Sequence, residues 1–419
     1  MEKLQHGIQS HLTPRAYRLL LTPYHFVWNL FSAIRYGFPA RELVVIGVTG
    51  TKGKSSVSEM LYSVLTEAGH TVALSSTIHF VIGRETRPNT FKMTLPGRGF
   101  IHKFLREAIT KGATHAVIEI TSEATLQYRH LFLSQNALVF TNLEKEHLER
   151  HGGMENYFLA KYEIGKALTR SLKRPRGIIA NNESDYGKKF LALPVEKQIP
   201  FSLSDAQNLI LGEKGILFRY HDVLFDVPQP GEFSARNALA TIKTGEFFGV
   251  SLETIACALK NLTTIAGRAE RIDEGQDFLV VVDYAHTPDS LEALYKAYGT
   301  ARKICVLGNT GGGRDVWKRP LMGKIAESYC DEVILTDEDP YDEDPVAIVQ
   351  GMAEGMQKKP SIVMERRDAI AQALTMARTK DVVLITGKGT DPYIMRAQGA
   401  KEVWSDAGVV REELKKLLS

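Results

Sequence analysis

The sequence predicts an α/β chain of two domains built on mostly parallel sheets, with a short helical segment in front. Three observations carry that prediction. Apolar β-branched runs alternate with helical patterns, as strand–helix–strand units require. The alternation comes in two series, the second starting near residue 266. The chain has 419 residues, more than one hydrophobic core usually supports.

The elements follow in chain order. Residues 1–40 are rich in Leu, Phe, Tyr and Trp, with Arg15, Arg18 and Arg35 interspersed. They have neither the clean apolar run nor the small-residue cleavage site of a signal peptide. An amphipathic helix resting on a membrane surface is one reading. A helix packed on the first domain is the expected one, because apolar stripes usually face cores. "LVVIGVT" (43–49) reads as a buried strand and "SSVSEMLYSVLTEAG" (55–69) as the helix after it, closed by Gly69. "HAVIEIT" (115–121), "NALVFTN" (136–142) and "RGIIANN" (176–182) are further strands with polar carboxyl ends. In open α/β sheets those ends line the ligand crevice.

A second series begins around "LTTIAGRAERID" (262–273). "FLVVVDYAHTPDSLEALYKAY" is strand, polar turn and helix, and "KICVLGNTGGGRD" is a strand running into a glycine-rich loop. "DEVILTDEDP" and "DVVLITGKGTDP" are two more strands ending in polar loops. The expected division is an N-terminal helical segment (1–40), a central domain (41–265) and a C-terminal Rossmann-like domain (266–419).

Composition narrows the function. Hydrophobic content of 44% and charged content of 24% are ordinary for a globular protein. A formal charge of +3 does not by itself argue for nucleic acid or an acidic membrane. Cys257, Cys305 and Cys330 are far apart and form no C-x-x-C pair. They read as small core residues of a cytoplasmic protein rather than disulfides or zinc ligands.

The stretch "GVTGTKGKSS" (47–56) sits between a strand and a helix. Glycines there let backbone N–H groups turn toward a phosphate, and the helix start adds a positive dipole. Lys54 can reach the outer phosphates and Ser55 offers a hydroxyl to Mg²⁺. The generic pattern G-x-x-x-x-G-K-[ST] fails at Val48. The stretch instead resembles the shortened phosphate loop T-G-T-x-G-K-[ST] of the Mur ligase superfamily. "VFTNLEKEHLERHGGMENYFLAKYEI" (139–164) and "GEFSARNALAT" (231–241) are similar to two further segments of that family. "VVDYAHTPDSLEALYKA" (281–297) and "GGGRDVWKRPLMGKIAE" (311–327) are close to its muramyl-tripeptide synthetase (MurE) branch.

The resemblance implies an ATP-dependent ligase that joins a carboxylate to an amine through an acyl phosphate. Gly50, Thr51, Gly53, Lys54, Ser55 and Ser56 would hold the ATP phosphates. Glu119 and His147 would be magnesium ligands, with two ions expected to offset the crowded anions. Lys161 matches a lysine that the family carbamylates into an anionic metal ligand; an ordinary helix lysine in an ion pair is the alternative. Glu146 stands where the family often has Asp. Asn237 would contact the adenine, and Arg268, Asp283, Tyr284 and His286 would line the nucleotide, Asp283 at the ribose. Sites from both domains imply closure during catalysis. Arg314, Asp315, Lys318 and Arg319 would edge the active site.

Two departures bear on substrate. The family's complete muramyl-peptide ligases carry a preceding domain for the UDP sugar, whereas about forty residues precede the first strand here, too few for one. The acceptor is therefore expected to be bound differently or with a partner protein's help. The diaminopimelate-adding branch has D-N-P-R, where the arginine grips the distal carboxylate. This chain reads "DEDPYDEDP" (337–345), with Tyr341 at the arginine's place, and its "GKGTDP" has Thr390 and Asp391 for His and Glu. Arg314, Asp339, Tyr341, Lys388 and Asp391 are the candidate amino-acid contacts. An acidic pocket of that kind suits lysine or ornithine. A folylpolyglutamate synthetase-like ligase, or a Mur-like scaffold in an amidotransferase complex, are the competing functions. Three scattered cysteines cannot build the four-cysteine zinc element of that scaffold.

Overall fold

The computed structural model describes residues 14–97, 99–146, 148–313 and 315–419. The N-terminal thirteen residues, His147 and Arg314 lie outside the described residues. The chain divides into two compact units, one of Met1–Leu143, Glu155–Phe201 and Lys243–Val250, the other of Glu144–Met154, Ser202–Ile242 and Ser251–Ser419.

The first unit is built on an eight-stranded sheet. Its strands are β1 (Val44–Thr49), β2 (Val72–Ser75), β3 (His79–Ile82), β4 (Glu85–Pro88), β5 (His115–Glu119), β6 (Ala137–Phe140), β7 (Gly177–Asn181) and β8 (Lys197–Phe201). They lie in the order β4-β3-β2-β5-β1-β6-β7-β8. β1 runs parallel to both β5 and β6, so three carboxyl ends meet at the sheet centre. The unbroken apolar runs of β1, β5 and β6 are buried, as a sheet covered on both faces demands. β3 and β4 turn antiparallel at the edge. β4, with Glu85, Arg87 and Pro88, is exposed along its length, and charge with proline blunts edge pairing.

Four helices of this unit matter for the sites: α1 (Pro14–Arg35), α2 (Lys54–Glu67), α3 (Phe100–Thr110) and α4 (Met154–Thr169). α2 begins at Gly53, whose φ of 79° is the left-handed value that glycine adopts without strain. α1 seats on the first unit, but through a polar face rather than the apolar stripe that was expected to face the core. Asn29 Nδ2 donates to the Tyr128 carbonyl at 2.8 Å, His102 Nε2 lies 3.1 Å from Asn29 Oδ1, and Ser32 Oγ donates to the Gly99 carbonyl at 3.2 Å. No described helix is long and apolar enough to cross a membrane.

The second unit contains two main sheets. β9 (Gln207–Gly212), β10 (Gly215–Tyr220) and β11 (Val223–Val227) form an antiparallel meander that the sequence reading passed over. β12 (Glu270–Ile272), β13 (Leu279–Asp283), β14 (Lys303–Leu307), β15 (Glu332–Leu335), β16 (Ser361–Ile362) and β17 (Val382–Thr386) form the other, in the order β12-β13-β17-β14-β15-β16. All its pairs are parallel except β12 with β13. Alternate residues of each strand enter different cores: Val280, Val282, Ile304 and Val306 one, Val281, Cys305 and Leu307 the other. Each such buried aliphatic side chain contributes about 1.5–3 kcal/mol.

One expectation fails here. Cys305 and Cys330 are joined as a disulfide, with Cα atoms 6.1 Å apart, and only Cys257 is free among the three. Cys305 lies on β14, and the helix Lys318–Tyr329 returns the chain so that Cys330 follows its last residue above the same core. A separation of 25 residues reads as distant in sequence but is one strand–helix excursion in space.

Candidate nucleotide and amino-acid sites

The loop after β1 is held in shape by the residues after β6. The Thr51 N–H donates to the Asn142 carbonyl at 3.0 Å, the Lys52 N–H to Asn142 Oδ1 at 2.9 Å, and Thr141 Oγ1 to the Lys52 carbonyl at 2.6 Å. Gly50 has φ 152°, and a Cβ there would lie 1.9 Å from Thr141 Oγ1. Both the turn and the close approach therefore require glycine. Lys54 opens α2 with Ser55 and Ser56, and its Nζ donates to the Thr51 carbonyl at 2.8 Å. The sequence-predicted phosphate loop is thus assembled with its N–H groups at a helix start, the geometry that attracts anions.

Glu119 ends β5 beside it. Its Oε2 accepts from Ser55 Oγ at 3.1 Å and from the Thr77 N–H at 2.8 Å, and Thr77 Oγ1 lies 3.0 Å from both carboxylate oxygens. The carboxylate is 1% exposed, so its partners fix its aim. A serine hydroxyl and a carboxylate at this spacing are hard oxygen donors of the kind magnesium takes alongside phosphate. Among the described residues no three His, Cys, Asp or Glu side chains gather as a ready-made metal site, so phosphate oxygens would complete the set. Lys161, on α4, is fully buried: its Nζ donates to the Gly50 carbonyl at 2.7 Å and sits over the Tyr157 ring. Gly50, Lys54, Ser55, Glu119 and Lys161 therefore come together in the first unit.

In the second unit, Arg268, Asp283, Tyr284 and His286 also assemble. Asp283 ends β13 and accepts from the Ala269 and Ala285 N–H groups, each at 2.6 Å. The Arg268 guanidinium stacks over the Tyr284 ring at 4.6 Å. The nearby Asp391 carboxylate, with burial, pushes the Tyr284 phenol well above its ordinary value. His286 lies between two acceptors, with Nδ1 2.7 Å from the Tyr284 carbonyl and Nε2 2.8 Å from Glu146 Oε1. Lys318 Nζ donates to the His286 carbonyl at 3.0 Å. Asn237 is buried on the helix Glu232–Phe247.

The loop after β15 corrects the expectation of an acidic pocket. Asp339 accepts from Lys388 Nζ at 2.8 Å and from the Met395 N–H at 2.7 Å, Asp337 pairs with Arg396, and Glu343 pairs with Arg319. Asp337, Asp339 and Glu343 are thus neutralised by cations from distant sequence, which no count of acids along the chain reveals, whereas Glu338 is not. Asp391 is 3.6 Å from Lys388 Nζ. Tyr341 takes a left-handed φ of 54° and donates its N–H to the Met395 carbonyl, next to Gly312.

Sequence reasoning missed two residues of these sites. Thr77 lies two residues after β2, in the turn to β3, and the polar carboxyl end of that short strand was the available signal. Glu338 is 3% exposed, accepts from Thr310 Oγ1 at 2.9 Å, and has no hydrogen-bond partner for Oε2 among the described residues. Burial pushes its carboxyl up, and Gly387 leaves room for it, since a Cβ there would lie 2.2 Å from Oε2.

The comparisons with known proteins agree with this geometry. The model of the Mur ligase middle domain matches residues 48–245, and that of the Mur ligase glutamate ligase domain matches residues 267–389. The UDP-N-acetylmuramoyl-L-alanyl-D-glutamate–2,6-diaminopimelate ligase of Aquifex aeolicus (strain VF5) is 35% identical over 394 residues, 90% of this chain and 79% of that one. The ligase of the same name from Thermosynechococcus vestitus is 34% identical over 92% of this chain and 80% of its own. Among solved structures, a ligase of that name superposes with a TM-score of 0.62 at 28% identity, over 90% of this chain and 79% of that one. A Mycobacterium tuberculosis folylpolyglutamate synthase shares the fold, with a TM-score of 0.71 at 16% identity over 92% and 94% of the two chains. The chain belongs to the Mur ligase family and is an ATP-dependent ligase.

Proposed function

We propose that the protein forms an amide bond between an amino acid and the terminal carboxylate of a muramyl peptide, as a step in peptidoglycan precursor synthesis. The observation that carries this reading is the Ser55–Glu119 pair beside the Lys54 loop. Magnesium-bound ATP would supply the phosphoryl group that turns the acceptor carboxylate into an acyl phosphate, which the amine then displaces. Gly50, Gly53, Ser55 and Ser56 would present N–H groups to the phosphates and Lys54 would neutralise the outer ones, while Thr51 braces the loop through its N–H bond to the Asn142 carbonyl. Ser55 and Glu119 hold one ion; a second falls to His147 and to Lys161 as its carbamate. Carbamylation would convert the buried ammonium beneath Gly50 into an anion of matching reach. Asn237, Arg268, Asp283, Tyr284 and His286 take the nucleoside, within a central (41–265) and a C-terminal (266–419) domain, in the cytoplasm.

The amino acid we assign is one with a side-chain amine and no distal carboxylate. Tyr341 replaces the family's gripping arginine, while Glu338 keeps a buried oxygen with no described hydrogen-bond partner. Asp339 and Lys388 brace that loop, and Arg314 and Asp391 flank it in sequence. The test is mass spectrometry of reactions with Mg-ATP, UDP-muramyl dipeptide or folate, and lysine, ornithine or diaminopimelate. Product from lysine or ornithine on the muramyl acceptor supports the assignment. Product from folate alone overturns the cell-wall reading, and product from diaminopimelate alone overturns the amino-acid assignment.

A further inference from the structure

The amphipathicity of α1 is reversed. Its seated side carries polar Asn29 and Ser32 with Ala33, all buried. Its outer side carries Tyr24, Val27, Trp28, Phe31, Ile34 and Arg35, spaced i, i+3, i+4, i+7, i+10 and i+11, which is one stripe of a helix. Val27, Phe31 and Ile34 are 60%, 54% and 59% exposed. Tyr24 stacks on Trp28 at 6.4 Å and Trp28 meets Phe31 at 6.0 Å, so the stripe is continuous. A helix whose task was to cover a core would present these side chains inward.

The charge of the same segment says what the stripe meets. Residues 1–41 hold five of the 52 Lys and Arg and one of the 49 Asp and Glu. The chain's net positive charge therefore lies in this segment, and the remaining residues are net −1. Between Pro14 and Arg41 there are four arginines and no acid. Aromatic and branched apolar side chains ending at Arg35, on a helix too short in apolar length to span and in a segment of net positive charge, match the bilayer interface of an anionic membrane. A second copy of the chain would bring the same positive charge against itself.

We propose that α1 docks the protein onto an anionic membrane surface, with Val27, Trp28, Phe31 and Ile34 entering the headgroup boundary and Arg35 meeting a lipid phosphate. The full chain should float with vesicles containing phosphatidylglycerol at least about tenfold more than with phosphatidylcholine alone, and salt should weaken the binding. Trp28 should be quenched by brominated lipid, and Trp28→Phe should remove that quenching while Trp317 and Trp404 stay unquenched. The triple variant V27S/F31S/I34S should lose binding about tenfold or more while keeping its ATP turnover. Binding that ignores lipid charge, an unaffected triple variant, or no quenching at Trp28 overturns the proposal. So does a wild-type dimer in light scattering that the triple variant dissociates, because a second copy would then cover the stripe.

Discussion

At Gly50 two demands coincide, a positive φ and a 1.9 Å approach to Thr141 Oγ1 that leaves no room for a methyl group. Gly50→Ala should therefore reduce ATP turnover by about a hundredfold or more by displacing the loop, and lower stability by about 1–3 kcal/mol. Steady-state turnover and chemical denaturation measure the two effects separately. Thr77 tests whether the aim of Glu119 matters for the metal. Thr77→Val removes the hydroxyl but keeps the N–H bond to Oε2. The magnesium concentration for half-maximal activity should rise about tenfold, with the ATP requirement at saturating magnesium little changed. An unchanged magnesium curve would reduce Thr77 to a packing residue. None of this positioning shows in local sequence, because Glu119 and Thr77 are 42 residues apart and meet only when β2 and β5 pair.

Among the elements, long apolar runs were legible and short or paired ones were not. β1, β5, β6, β7, β13, β14, β15 and β17 stand at their expected places because buried parallel strands read as continuous Val, Ile and Leu. β9 to β11 escaped because their alternation is interrupted by exposed Ile210, Leu211 and Leu217. The seat of α1 on α3 gives a pH test. Burial holds His102 at about 4, below its ordinary 6.5. The unfolded chain takes up that proton near 6.5 and the folded one resists until about 4. Its contribution is thus complete above 6.5 and lost as pH falls toward 4, up to about 3 kcal/mol. His102→Gln should flatten the decline of denaturation midpoint between about pH 7 and pH 5, leaving the shares of His115 and His130, which burial also holds at about 4. The Cys305–Cys330 link is tested by maleimide mass labelling of the denatured, unreduced protein. One label per chain, at Cys257, is the expected count, and three would restore the sequence expectation.

For the whole molecule, the family and the nucleotide chemistry were legible because they rest on contiguous motifs, "GVTGTKGKSS" above all. The amino-acid site was only half legible, because Lys388, Arg396 and Arg319 reach its acids from other parts of the chain. If Glu338 meets the side-chain amine, Glu338→Gln should raise the KM for lysine or ornithine about tenfold or more and leave the KM for ATP unchanged. Tyr341→Arg should shift preference toward diaminopimelate in a competition assay. The make-up of the two units has a further consequence, for synthesis on the ribosome. The first unit needs Lys243–Val250, where the Phe247 ring lies against Gly177, 2.9 Å from where a Cβ would be. The second needs Glu144–Met154, which emerges long before its sheets do. The nascent chain must therefore hold an incomplete first unit until about residue 250 has left the tunnel, with its central strands already made and apolar. A stall or truncation between 201 and 243 would release that surface, which makes this interval the point of the chain's life most exposed to aggregation.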